Sequence, residues 1–191
     1  MDYPTSLIRL NITSRQVTST STLIAVGAVV RIMAAEVAMV SPVPVFALLI
    51  KVGLSETLAF VCGFLYGPLM GFVTGASIIV ISDVVVLPGA WTPFMAAIIG
   101  LLGILASLIR RFSDRPTIMM LGVSAAGLTL LSEFLKSSWV ALFYNVPILV
   151  AMLTGLPSLI AALVNNEVLF ITVGLKIIRH LQGGVNVREI T

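Results

Sequence analysis

Charge is what this sequence has least of. Only 10% of its 191 residues are Asp, Glu, Lys or Arg, whereas a soluble domain carries roughly 25%. A surface facing water on all sides cannot be built from so little. Cysteine is almost missing as well: a single Cys62, set in an apolar run, excludes an internal disulfide and argues against a thiolate metal site. The one histidine, His180, lies among basic residues, and a metal site needs several convergent ligands. There is no phosphate-cradling Gly-x-x-x-x-Gly-Lys-Ser/Thr loop, no zinc spacing and no nucleophile paired with a histidine base. Intramembrane hydrolysis usually needs paired aspartates, and Asp83 stands alone in its apolar run. These absences predict a chain that is not an enzyme, needs no metal or cofactor, and contains no ATP-hydrolysing part of its own.

What the chain has in quantity is apolar surface. Hydrophobic residues make up 59% and the mean hydropathy is +1.14, which predicts an integral, multi-pass protein of the cell membrane. Spans need about 20 residues each, and six apolar runs fit: 22–40, 45–66, 69–87, 92–109, 117–143 and 157–178. The expected class is therefore an all-α polytopic membrane protein with six transmembrane helices. Residues 1–20, rich in Ser and Thr with Pro4, Arg9 and Arg15, read as a cytoplasmic lead-in. Residues 21–180 form the transmembrane domain and 181–191 a cytoplasmic tail. The first apolar run continues past Arg31 without a small-residue cleavage site, which argues against a removable signal peptide. Residues 144–156, with Pro147 and Gly155, read as a partly buried outer loop.

Orientation follows from the basic residues. Arg9 and Arg15, then Arg110, Arg111 and Arg115, then Lys176, Arg179 and Arg188 fall in the lead-in, the loop between spans four and five, or the tail. With six spans these share one side, and the three opposite loops contain no Lys or Arg. The positive-inside rule then places both termini in the cytoplasm. The net charge of +3 has the same origin and carries no nucleic-acid signal.

Glycine marks the centre of the chain. Gly63, Gly67, Gly71 and Gly75 recur at every fourth position, a stripe that lets backbones approach closely. Pro68 lacks an N–H and Gly-Pro is a turn dipeptide, so the stretch predicts two membrane-crossing helices meeting at a tight hairpin.

The chemistry lies in charges that lipid should exclude. Arg31, Glu36, Lys51, Glu56, Asp83, Glu133, Lys136 and Glu167 all fall inside the six runs. Each costs about 2.5 to 3.5 kcal/mol at the bilayer centre, so each must face protein, water or another charge. By depth they cluster from the middle outward, as a cavity open to the outside would arrange them. Arg31 and Glu36, like Lys51 and Glu56, are five apart and diverge by about 140° on a helix; their partners must come from elsewhere. Glu133, Lys136, Val140, Phe143 and Tyr144 share one face, flanked by Ser132 and Trp139. Two readings stand for that face: an internal ion pair that holds helices together, or a ligand site in which aromatic rings flank the charges. Asp83 either bonds the start of the following loop or meets ligand, and Trp91 is either an interfacial anchor or part of the site. The candidate substrate-binding set is thus Arg31, Lys51, Asp83, Trp91, Glu133, Lys136, Trp139, Tyr144 and Asn165.

Several pieces occur together in a telling order. They are Ala28-Val-Val-Arg31-Ile32, the glycine stretch Gly63 to Gly75, Ser82-Asp83, Pro88-Gly89-Ala90-Trp91-Thr92-Pro93-Phe94 and Gly100-Leu-Leu-Gly103. Over roughly residues 25–111 this order resembles the substrate-binding S components of energy-coupling factor (ECF) vitamin transporters. The resemblance implies a six-helix subunit that captures a small vitamin-like solute from outside. Delivery would then depend on a separate membrane scaffold subunit and two ATPases. In that family a small-residue surface on the first helix docks the scaffold. Ser21, Ala25 and Ala28 are the local counterparts, although they do not form an Ala-x-x-x-Ala. Internal packing is the other reading of those residues. A stand-alone proton-coupled carrier using Glu56, Asp83 or Glu133, and a purely structural subunit, are the alternatives from other classes.

Overall fold

A glycine and a proline decide where the first hairpin turns. Gly67 adopts φ 96° and ψ 178°, a conformation that is essentially glycine's alone, and Pro68 opens the next helix at its first position. The computed structural model of the chain describes residues 13–40, 53–112 and 117–186. Around the Gly67 turn the elements are α1 (Ser14–Val40), α2 (Leu54–Tyr66), α3 (Pro68–Val86), α4 (Trp91–Arg110), α5 (Ile118–Tyr144) and α6 (Ile148–Leu169). A π-helical turn, Phe170–Gly174, joins α6 to α7 (Leu175–Asn186), and no strand occurs among the described residues. The fold is all-helical, as its composition predicts.

Five helical stretches are long and apolar enough to cross a membrane: Ser14–Val37, Pro68–Val86, Trp91–Arg110, Ile118–Tyr144 and the continuous Ile148–Leu181. The remaining expected span, 45–66, is represented by the shorter apolar helix α2. Its 13 residues reach about 20 Å, against a hydrocarbon core of about 30 Å. The first part of that expected span, with Lys51, lies outside the described residues.

Two expectations are corrected. The first helix starts at Ser14, so the end of the polar lead-in is already helical. Thr13 assists this start by exchanging bonds with Gln16, its amide donating to Oε1 and its hydroxyl accepting from the Gln16 amide. The segment 144–156 is not a loop. Asn145 turns the chain in the left-handed region at φ 52°, Pro147 caps the next helix, and α6 then runs unbroken through Gly155 and Pro157. In water an interior proline costs about 3 kcal/mol or more; in lipid a helix is the only way to pair most of the remaining backbone, so proline is tolerated.

Glycines set the packing of the first half. A Cβ on Gly63 would lie 1.9 Å from the Gly103 carbonyl oxygen, and one on Gly103 would lie 2.3 Å from the Gly71 carbonyl carbon. Helices α2, α3 and α4 therefore meet backbone to backbone. Short connections run each helix antiparallel to the one before it in the pairs α2–α3, α3–α4, α4–α5 and α5–α6. At one end of the bundle Arg110 donates to the carbonyls of Phe64 and Leu65 at 3.1 and 2.7 Å, capping α2. Arg111, Lys176, Arg179 and His180 belong to this same end. The buried core is mainly aliphatic and includes three phenylalanines: Phe60 stacks on Phe64 at 5.9 Å and leans on Phe170 of the π turn at 4.9 Å.

Candidate functional site

Glu56 enters the bundle in the first turn of α2 and is buried, so its carboxylate must be matched by other helices. Helix α5 supplies the match. Thr129, Ser132, Glu133 and Lys136 recur at helical spacing and turn the polar face of α5 inward. Lys136 Nζ lies 3.1 Å from Glu56 Oε1 and 2.7 Å from Glu133 Oε1, bridging both acids. Ser132 Oγ lies 3.4 Å from Glu56 Oε1. From α6 the Asn166 side-chain amide donates to Glu56 Oε2 and to Thr129 Oγ1. Asn166 is itself buried, and its Oδ1 has no partner among the described residues. One carboxylate thus ties α2, α5 and α6 together at their polar level.

A second network joins α1, α3 and α4. Arg31 Nη2 meets Asp83 Oδ1 at 2.9 Å, while the Thr92 hydroxyl donates to Asp83 Oδ2 at 2.9 Å. Thr92 in turn accepts the Gly89 amide at 3.3 Å, which fixes the α3–α4 turn. Trp91 folds back over this turn, and a Cβ on Gly89 would lie 2.5 Å from its ring.

Between the two networks lies a partly open cavity of about 450 Å³. Arg31, Glu56, Glu133 and Lys136 bring charge to its wall; Trp91, Phe94 and Trp139 bring flat apolar faces; Ser55, Ser137, Thr154 and Ser158 bring hydroxyls. Phe94 stacks on Trp139 at 5.7 Å, and Trp139 on Phe143 at 4.8 Å. The cavity lies beside the α3–α4 and α5–α6 turns, opposite the end occupied by Arg110 and Arg111. Its size and its mixed wall suit a small organic molecule.

The structure brings together Arg31, Trp91, Glu133, Lys136 and Trp139 from the expected set on this one wall. Asp83 stands behind Arg31 and holds it, and its other oxygen accepts from Thr92 in the first turn of α4, not from the start of the loop. Tyr144 is exposed and touches Trp139 edge-on at 6.5 Å, outside the lining. Asn165 does not line the cavity; its neighbour Asn166 holds the buried carboxylate instead. Lys51 lies outside the described residues. Of the small residues on α1, Ser21 and Ala25 are exposed, whereas Ala28 is packed inside, so an outer docking surface cannot include it. Glu56, Phe94, Thr129, Ser132 and Asn166 are missing from the expected set. The signal for Glu56 was available in its mid-membrane depth.

Among the described residues no group of three or more His, Cys, Asp or Glu side chains is placed to hold a metal. The chain matches no family model, no curated protein and no solved structure.

Proposed function

We propose that this chain is the substrate-capture subunit of an importer, of the kind represented by ECF S components, and is not an enzyme. It takes a small polar solute from outside the cell into the cavity between α1–α4 and α5–α6. The observation that carries this reading is the cavity itself: about 450 Å³ of space walled by ionisable groups and tryptophans within helices that otherwise present apolar surface. Such groups are costly in lipid and are kept where a polar ligand needs them. Both termini and the Arg110–Arg111 end face the cytoplasm in this reading, by the positive-inside rule, so the cavity opens outward. Release inward then requires a scaffold subunit and two ATPases, with Ser21 and Ala25 on the exposed face of α1 as part of the contact.

The ion pairs also favour a second reading, a purely structural subunit, because Arg31 and Lys136 each have a carboxylate partner. One experiment separates the two. The full chain is purified in mild detergent and its extract analysed by mass spectrometry, beside Val140→Phe, which fills the cavity. Capture predicts a small molecule at near-stoichiometric yield, lost in Val140→Phe while the protein stays folded. An extract free of small molecules, even from cells supplied with rich medium, favours the structural subunit.

A further inference from the structure

Among the described residues, which do not include Lys51, the charge on the cavity wall does not balance. Among the described residues it holds Arg31 and Lys136 as bases, with Glu56, Glu133 and, behind Arg31, Asp83 as acids. Two positive charges against three negative leave one negative charge in excess. Arg31 is matched by Asp83, so the imbalance falls on Lys136, one ammonium between two carboxylates. Glu36 is exposed, and Glu167 lies against Gly122 on α5 outside the lining; neither alters the count at the wall.

The oxygens show where the excess is felt. Both oxygens of Glu56 are engaged, Oε1 by Lys136 and Ser132 and Oε2 by Asn166. Only Oε1 of Glu133 is engaged, by Lys136. Glu133 Oε2 has no partner among the described residues, and its side chain lines the cavity. On the same wall Phe94 and Trp139 stack, with Trp91 beside them. Ring faces carry negative potential and attract cations. A half-desolvated carboxylate left over from a shared ion pair does the same, because an uncompensated buried charge is costly.

We infer that the ligand is a monocation with a flat or compact apolar body, its positive group at Glu133 and its body against Trp139 and Phe94. This rests on the capture reading and names the substrate class of the same cavity. An anion would add to the excess negative charge and would have to take Arg31 from Asp83.

The chain has only two tryptophans, Trp91 and Trp139, and both line the cavity, so intrinsic fluorescence reports on its occupancy directly. The full chain in lipid nanodiscs is titrated with benzyltrimethylammonium, benzyl alcohol and benzoate. The expected result is saturable quenching by the cation with a Kd at least ~10-fold below that of the neutral probe, and no saturable response to benzoate. Glu133→Gln weakens the cation by ~10-fold or more with an unchanged melting profile, and Glu133→Asp retains most of the binding. Benzoate or benzyl alcohol binding as tightly as the cation, or a Glu133→Gln variant equal to the parent, overturns the charge assignment. If that binding disappears in Val140→Phe, the capture cavity stands with a different substrate class. If no probe is bound and no small molecule co-purifies, both the substrate class and the capture reading fail.

Discussion

At the scale of single residues the molecule depends on Lys136. Two carboxylates share its ammonium, and removing it leaves Glu56 and Glu133 facing each other across a partly dry space. Breaking a buried pair by deleting one partner costs about 3 to 5 kcal/mol. Lys136→Met is therefore expected to lower the detergent melting temperature by at least ~6 °C, using the scaling for domains of this size. Adding Glu56→Gln to Lys136→Met should recover part of the loss, since a neutral amide keeps its bonds to Ser132 and Asn166 without leaving a bare charge. A Lys136→Met variant that melts within ~2 °C of the parent would mean that Lys136 is not coupled to the two acids as the structure places it. The sequence exposed these residues through their cost in lipid, and their mid-to-outer depth was readable from span position. The Glu133–Lys136 pair, one turn apart on α5, was readable too; the pairing of Lys136 with Glu56 was not. Glu56 and Lys136 are 80 residues apart, and nothing local says that α2 and α5 are neighbours. Asn166 rather than Asn165 faces Glu56 for a similar reason: a one-residue step turns a helix by about 100°, and the rotation of α6 is set by packing.

At the scale of elements, glycine acts in two physically distinct ways. Gly67 needs only its φ of 96°; no atom lies within 4 Å of where its Cβ would be. Gly103 sits in ordinary helix but has no room, its added Cβ falling 2.3 Å from the α3 backbone. Gly67→Ala should thus cost about 1 to 3 kcal/mol through strain alone. Gly103→Ala must push α3 from α4 and should cost more, since backbone cannot move aside as a side-chain tip can. Thermal melting of the two variants, each against the parent, ranks them; a Gly103→Ala variant as stable as the parent would contradict the close crossing. The four-residue glycine repeat and the Gly-Pro turn were legible because their mechanisms are local. The start of α6 was not, because Pro147, Gly155 and Pro157 are breaker signals calibrated in water. A bilayer removes the alternative partners for the backbone, and the helix, capped by Pro147, continues through Gly155 and Pro157.

At the scale of the whole molecule, the glycine-tightened group α1–α4 and the hairpin of α5 with α6 meet loosely near the α3–α4 turn, and the cavity is the space between them. Its meaning depends on which way the bundle sits. Phe112, 90% exposed, marks the arginine end, and exposed Pro88 marks the other. Cys62, the only native thiol, is fully buried and stays silent towards a charged maleimide. Pro88→Cys is expected to react with a membrane-impermeant maleimide in intact cells, and Phe112→Cys only once the membrane is opened. The charge asymmetry between the two ends is the physical cause, because basic residues near helix ends are retained on the cytoplasmic side. The opposite labelling pattern would turn the cavity towards the cytoplasm. Arg31, Glu133 and the tryptophans would then face a compartment from which nothing needs to be imported, and the same wall would have to serve export or intracellular sensing instead.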